Sequence, residues 1–213
     1  MLNTTIVEEV GAWGLEFGDR HQRVPFPGVF LLDEHGTVIE RKFDRSHRVR
    51  SSGSVLVADL TGEELPAAVS GVAAGAGVSA RAWLDEATFF PAQRLYAHVR
   101  LQIEEGLHVY VPPLGEGYVP LQVRVDGGAG FTAEASDLPA GTPFRVQGLD
   151  EVFSVVEGTV DVKVPFYVSD EETGDVTLTV RIGYQACTES VCLAPEDLRI
   201  DLPLKYLPIP RPS

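Results

Sequence analysis

The residues of this chain that are most able to do chemistry are its only two cysteines, Cys187 and Cys192. They lie together in the segment GYQACTESVCLAP, residues 183–195. A β-like run ends just before them at Tyr184, and another begins near Leu198. Both cysteines therefore occupy one short connection, where their Cα atoms could come within the distance that a disulfide requires.

Three kinds of chemistry are open to such a pair. A structural disulfide that closes so small a ring would stabilise the fold by only about 2 kcal/mol. A metal site needs more than two thiolates, and the histidines show no ligand spacing, so we expect no metal. A redox-active pair would be opened by a partner's thiolate and would then resolve internally, because the second sulfur is already in reach. The spacing alone leaves the structural and the redox interpretations open.

The elements that must position the cysteines are strands. Apolar and polar residues alternate over residues 94–103, 159–168, 175–184 and 198–204, with shorter candidates at VSARAW and YVPLQVRV. A period of two is typical of half-buried strands. Gly, Pro, Asp and Glu separate these runs, and no helical spacer intervenes. The pattern predicts a mainly β fold, an immunoglobulin-like antiparallel sandwich over residues 77–213.

The first sixty residues have a different pattern. The segment TTIVEEVGAWGLEF is consistent with a short helix, and GVFLLDEHGTVIERKF predicts a β-hairpin. A second helix, capped by Ser46, is expected in SHRVRSSGSVLVADL. We therefore predict a partial α/β domain over residues 1–62, and a linker rich in Ala and Gly over residues 63–76.

Composition excludes some partners. With 17 basic and 31 acidic residues, the formal net charge is −14, which disfavours nucleic acids and anionic membrane surfaces. We expect neither membrane insertion nor a secretory signal in the sequence as given, and an extracytoplasmic location stays open if the chain is a fragment. Unpaired strand edges would favour a homo-oligomer.

The N-terminal segment VPFPGVFLLDEHGTVIERKF resembles the second half of the thioredoxin fold in AhpC/TSA-type peroxiredoxins and related redoxins. The resemblance implies that Pro27 takes the place of a proline that is typically cis and faces the redox cysteine. The cysteine of those families comes earlier in the domain, but this chain has none before Cys187. Peroxidase activity is therefore not expected.

The segment YQACTESVCLAPEDLRIDLPL resembles the N-terminal domain of DsbD, the thiol:disulfide interchange protein. The motif residues that match are Tyr184, Gln185, Ala186, Cys187, Cys192 and Pro195. Upstream, EEGLHVYVPP and GLDEVFSVVEGTVDVKVPFYV also resemble that family. The resemblance implies an immunoglobulin-like fold and electron transfer through the cysteine pair to or from a thioredoxin-like or DsbD-like redox protein, without a cofactor.

The same resemblance assigns roles by position. Cys187 and Cys192 are the reactive pair, with Cys192 facing the partner. Asp150 and Glu151 match an acidic pair in the loop that caps the cysteines, and Phe153 or Val152 stands at the position of its aromatic residue.

Two further roles follow from the chemistry of the residues themselves. Asp150, Glu151 and Glu189 would raise the pKa of a neighbouring thiol through like-charge repulsion, or simply form an acidic surface. Tyr184 would either support the pair or pack in the core. The alternative function is a non-enzymatic immunoglobulin-like binding domain with a structural disulfide.

Overall fold

The structure is a computed structural model. It describes residues 28–43, 49–115, 117–145, 151–169 and 174–208, without the side chains of residues 59 and 60. The chain divides into two compact units, residues 1–65 with 92–94, and residues 66–91 with 95–213.

In the first unit, strands β1 (Gly28–Leu32) and β2 (Val38–Phe43) form the predicted antiparallel hairpin. The Asp33 carboxylate stabilises its turn by accepting hydrogen bonds from the backbone N–H groups of His35 at 2.9 Å and Thr37 at 2.8 Å. The hairpin is therefore confirmed. The thioredoxin-like character of residues 1–62 stays a prediction.

Strand β3 (Arg50–Ser51) comes just before helix α1 (Gly53–Thr61). The helix begins after Ser52, whose hydroxyl accepts a hydrogen bond from a backbone N–H three residues later at 3.2 Å. It ends at Gly62, which has the left-handed φ of 72° that glycine adopts without strain. The predicted cap at Ser46, which is outside the described residues, is wrong for this helix. The residues directly before Ser52 are extended and paired as a strand.

The rest of the described chain is almost entirely β, which confirms the mainly β prediction. Its strands are β4 (Val69–Gly75), β5 (Val78–Leu84), β6 (Thr88–Phe89), β7 (Gln93–Ile103), β8 (His108–Tyr110), β9 (Gln122–Asp126), β10 (Phe131–Ala133), β11 (Thr142–Arg145), β12 (Val152–Val156), β13 (Thr159–Val168), β14 (Val176–Tyr184), β15 (Ala186–Cys187) and β16 (Glu196–Tyr206).

Two of the sheets share one apolar core, as expected for a sandwich. The first runs β10-β13-β7-β5-β4, and the second runs β6-β16-β14-β9. The alternating residues predicted to share a face in the four longest strands are all buried: Leu95, Ala97, Val99, Leu101, Ile103, Val160, Val162, Val164, Phe166, Val168, Val176, Leu178, Val180, Ile182, Tyr184, Leu198, Ile200, Leu202 and Leu204. This packing of two mainly antiparallel layers, in which β6 pairs in parallel with β16, is consistent with the immunoglobulin-like sandwich that we expected.

The predicted linker over residues 63–76 is wrong for most of its length, because β4 occupies residues 69–75 and pairs along its whole length with β5. Its small residues come from close packing between sheets. A Cβ atom on Gly71 would lie 2.5 Å from Cγ2 of Ile200 in β16. An alternating strand that must approach its partner sheet this closely resembles a flexible Ala/Gly tract in composition.

A smaller sheet, ordered β11-β12-β8-β15, carries the cysteines. Its strand β8 reads His108, Val109, Tyr110, and all three residues are buried. Val109 belongs to the core of the sandwich, whereas Tyr110 packs in a second, separate cluster. The strand is therefore covered on both faces, which positions one of its faces against the cysteine loop.

Candidate functional site

The cysteine loop is a tight hairpin that extends from β15. Cys187 and Cys192 form a disulfide with their Cα atoms 3.9 Å apart, so the predicted proximity of the two residues is confirmed. The loop is also closed by backbone hydrogen bonds, from Thr188 N–H to the Val191 carbonyl and from Leu193 N–H to the Ala186 carbonyl, each 2.8 Å. Its shape therefore does not depend on the sulfur–sulfur bond alone.

Side chains reinforce the same turn. The Thr188 hydroxyl accepts from the backbone N–H groups of Ser190 at 3.3 Å and Val191 at 3.0 Å. The Gln185 amide donates from Nε2 to the Leu193 carbonyl at 2.9 Å. Such local bonds are typical of Thr in turns. They explain chemically why Gln185 and Thr188 stand beside the cysteines.

The two cysteines differ in exposure. Cys187 is 1% exposed, whereas Cys192 is an exposed residue. Cys187 packs in what we call the sulfur cluster, the buried residues Tyr110, Phe153, Val155 and Cys187 with the half-buried Leu114, Tyr118 and Phe144 around them. A molecule in solution therefore meets Cys192 first.

Phe153 belongs to the same cluster as the buried cysteine. It is 5% exposed, and its ring centroid lies 5.4 Å from that of Tyr110 and 4.8 Å from that of Tyr118. Val152, the other candidate for the cap position, is 51% exposed. The structure thus brings Phe153, and not Val152, into the sulfur cluster.

The structure tells less about the acidic residues that were predicted to lie near the cysteines. Glu189 lies within the exposed turn of the cysteine loop, and Glu151 is exposed directly before β12. Asp150 and Pro27 lie outside the described residues. Their predicted roles remain predictions.

Tyr184 lies in the core of the sandwich and not in the sulfur cluster. It is 1% exposed, and its hydroxyl donates to the Ala76 carbonyl at 3.4 Å. Burial, followed by the nearby carboxylates of Glu196 and Glu104, raises the pKa of Tyr184 to about 12. Of the two roles considered for it, this position favours packing.

His108 also lies beside the cysteines, although the sequence analysis assigned it no role. It is the cross-strand partner of Cys187 in the pairing of β8 with β15. It is 3% exposed, and its ring centroid lies 4.3 Å from that of Phe144 and 5.3 Å from that of Tyr110. The sequence signal that could have pointed to it is the HVY triplet, in which a polar residue stands in a short β-like run. The structure adds that this strand is buried on both faces.

No group of three or more His, Cys, Asp or Glu residues in the described ranges is arranged to hold a metal ion. Likewise, none of the helices among the described residues is long and apolar enough to cross a bilayer.

Comparison with known proteins places this site in a family. The family model for the N-terminal region of the thiol:disulfide interchange protein DsbD matches residues 80–204. The chain belongs to the DsbD N-terminal family. The match includes both cysteines, His108 and Phe153, and it starts within β5. The AhpC/TSA-like resemblance of the preceding segment lies outside it and stays a prediction.

Two solved structures are similar to this DsbD N-terminal family member. The N-terminal periplasmic domain of ScsB from Proteus mirabilis is 15% identical with a TM-score of 0.46, and the similarity covers 64% of this chain and 51% of that one. The DsbD N-terminal domain of Neisseria meningitidis, in the reduced form, is 20% identical with a TM-score of 0.36, covering 49% of this chain and 74% of that one. The chain thus spans about half the length of the ScsB domain. No curated protein matches the sequence.

Proposed function

We propose that this chain exchanges its Cys187–Cys192 disulfide with the cysteines of a thioredoxin-like or DsbD-like redox protein. Membership of the DsbD N-terminal family supports this type of chemistry. The observation that carries the proposal is the difference between the sulfurs, since Cys192 is exposed and Cys187 is buried in the same small ring. A purely structural clip has no need for this asymmetry.

Exposure decides which sulfur is attacked. The partner's thiolate approaches Cys192 from solvent and forms a new sulfur–sulfur bond with it, and the Cys187–Cys192 bond breaks. The bonding electrons leave with Cys187, which lies on the protein side. The reverse reaction returns electrons to the partner by the same path.

The hairpin supports rapid closure of the mixed disulfide. When the bridge opens, the two 2.8 Å backbone bonds of the loop and the hydrogen bond donated by Gln185 still hold the turn. The Cα atoms of the two cysteines therefore stay close, and Cys187 attacks Cys192 as an intramolecular nucleophile. Cys187 can therefore resolve the mixed disulfide and release the partner without a large rearrangement of the loop.

The cap and the charges would control reactivity. Phe153, which packs in the sulfur cluster with Cys187, would shield that sulfur and so restrict attack to Cys192. Glu189, within the loop, and the acidic pair Asp150 and Glu151 would disfavour a thiolate when no partner is bound, through like-charge repulsion. The reduced pair would then react more slowly with small oxidants than with a docked partner.

A redox titration tests the proposal. The Cys187–Cys192 couple is equilibrated with glutathione or dithiothreitol buffers, and the free thiols are alkylated and counted. We expect a reduction potential in the range of glutaredoxins and thioredoxin, about −200 to −270 mV. A value below about −300 mV is typical of structural disulfides and would support the alternative, a binding domain whose bridge is only a clip.

Trapping identifies the attacked sulfur. A thioredoxin that lacks its resolving cysteine is first converted to a mixed disulfide with a small aromatic thiol. This adduct is then mixed with reduced Cys187→Ala and, as the matched control, with reduced Cys192→Ala. Cys187→Ala should form a covalent complex through the exposed Cys192, and Cys192→Ala should form little. Equal trapping by the two variants would contradict the assigned order of attack.

A further inference from the structure

His108 stands directly opposite Cys187. The two residues are Cα partners in the antiparallel pairing of β8 with β15. Residues in this relation point to the same face of the sheet, and their Cβ atoms lie about 4.5 to 5.5 Å apart. Tyr110, two residues further along β8, packs in the sulfur cluster with Cys187, which confirms the shared face.

The imidazole has an unused polar atom. Nε2 of His108 is buried and has no hydrogen-bond partner among the described residues. A buried polar atom without a partner costs about 1 to 3 kcal/mol, so native proteins seldom keep one without a reason. The residues packed on the ring, Phe144 and Tyr110, are aromatic, and a phenylalanine would fill this place at a lower cost.

The buried thiol of Cys187 requires a proton acceptor before it can attack. Cys187 is 1% exposed, so little water can reach its thiol to accept the proton. Burial raises the free energy of a thiolate, so that less of the cysteine is in the reactive, ionised form. A neutral imidazole on the same face can accept that proton.

We propose that His108 accepts the proton of the Cys187 thiol when that cysteine resolves a mixed disulfide at Cys192. The inference rests on the proposed function, because it needs the bridge to open and close. The step balances as follows. The Cys187 proton moves to Nε2, and the Cys187 sulfur attacks the Cys192 sulfur. The bond from Cys192 to the partner breaks, and the partner's sulfur leaves as a thiolate. Over the whole exchange the cysteine pair is oxidised by two electrons and the partner is reduced by two, and the imidazolium releases its proton to the departing thiolate or to water.

The electrostatic surroundings keep the imidazole ready for this role. Burial lowers the pKa of His108, and the carboxylates of Glu157 and Glu189 oppose that shift. The ring is therefore neutral at pH 7 and able to take a proton, and the two carboxylates would stabilise the imidazolium once it forms. Among the described residues of the sulfur cluster, the other titratable side chains besides Cys187 are those of Tyr110 and Tyr118. Burial, followed by Tyr118, raises the pKa of Tyr110, so that it stays neutral at pH 7.

The resolution step can be followed without knowing the natural partner. The reduced full-length chain is mixed with an equimolar amount of the aromatic disulfide DTNB in a stopped-flow instrument. Attack by the exposed Cys192 releases one coloured thiolate, and attack by Cys187 on the resulting mixed disulfide releases a second one. The rate of the second release is measured between pH 5.5 and 9 for the wild type, His108→Phe and, as the matched control, His98→Phe. His98 lies on β7, where it is hydrogen-bonded to Asp85 at 2.7 Å and outside the sulfur cluster.

General-base catalysis by a positioned group contributes about 10² to 10⁴-fold. We therefore expect His108→Phe to slow the second release about 100-fold at pH 7, with a rate that then rises about tenfold per pH unit as the thiol ionises without help. The wild type and His98→Phe should show a flatter profile, and the first release should be unchanged in all three proteins. A merely structural role for His108 would not alter the shape of the pH profile.

The experiment distinguishes a failure of the role of His108 from a failure of the proposed disulfide exchange. If the wild type gives a fast second release and His108→Phe reproduces its rate and pH profile, the role of His108 is overturned while disulfide exchange stands. If the wild type gives no second release, Cys187 does not resolve adducts at Cys192, and both proposals fall.

Discussion

Reduction of the Cys187–Cys192 bridge should lower the free energy of unfolding only slightly. The disulfide closes a loop with a sequence separation of 5. The loop-closure relation for so small a ring gives an entropy loss of about 7 cal/mol/K in the unfolded chain, or about 2 kcal/mol at 25 °C. Reduction leaves the hydrogen bonds of the turn in place, from Thr188 N–H to Val191 and from Leu193 N–H to Ala186, so we expect no further loss in the folded state.

The same quantity can be measured in two independent ways. By the thermodynamic cycle, the stability difference between the oxidised and reduced proteins equals the difference between the free energies of disulfide formation in the folded and unfolded chains. For a two-electron couple, 2 kcal/mol corresponds to about 45 mV. The pair should therefore be only about 45 mV more reducing in the native protein than in 8 M urea.

The assay is urea unfolding of the oxidised protein and of the protein reduced by a phosphine. A Trp13→Phe background leaves Trp83 as the single tryptophan. Trp83 lies in β5, stacked on His98 with ring centroids 5.1 Å apart, so its fluorescence follows unfolding of the sandwich. Circular dichroism provides a second probe, which tests whether the transition is two-state.

A stability difference of 4 kcal/mol or more would refute the reasoning, as would unfolding of the sandwich on reduction. Either result would mean that the bridge is a structural support of the domain. The exchange proposal would then lose its physical basis, because a partner could open the bridge only by destabilising the fold.

Three further changes have defined outcomes. The wild type should lose up to about 3 kcal/mol of its free energy of unfolding between pH 10 and 12, because the raised pKa of Tyr184 lets the unfolded chain lose its proton first. Tyr184→Phe should not show this loss in urea unfolding. His108→Phe should be at least as stable as the wild type at pH 7, since it removes an unpartnered buried nitrogen. It should also lose less stability as the pH falls below about 6.5, because the lowered pKa of His108 makes the unfolded chain bind that proton first; a steeper acid loss than in the wild type would contradict this. Phe153→Ala should cost about 3 to 5 kcal/mol and speed the alkylation of Cys187 in a chain without the other cysteine, whereas the matched change Val152→Ala, at an exposed position, should alter neither.

Local patterns were enough to identify the strands that frame the site. Alternation over residues 159–168 and 175–184 predicted which side chains are buried, because successive strand residues point to opposite faces whatever lies beyond them. The pairing of Cys187 with Cys192 was also within reach, since two residues five apart at a turn can meet without help from the rest of the chain.

Composition misled where packing between sheets decided the structure. Residues 69–75 look like a flexible tract, but their small side chains allow β4 to lie against β16. Neither the closeness of that approach nor the partner of the strand can be read from the segment alone.

From the amino-acid sequence, two cysteines could be placed at the rim of a β-rich domain, because strand periodicity and turn residues act over short distances along the chain. The burial of Cys187, the exposure of Cys192 and the pairing of His108 opposite Cys187 became clear only from the complete fold. Those features need β8 and β12, which are remote in sequence, to pair and pack beside the cysteine loop. Burial depends on what the whole fold brings together, so strand alternation could not show which sulfur is exposed, and only the family resemblance had indicated Cys192.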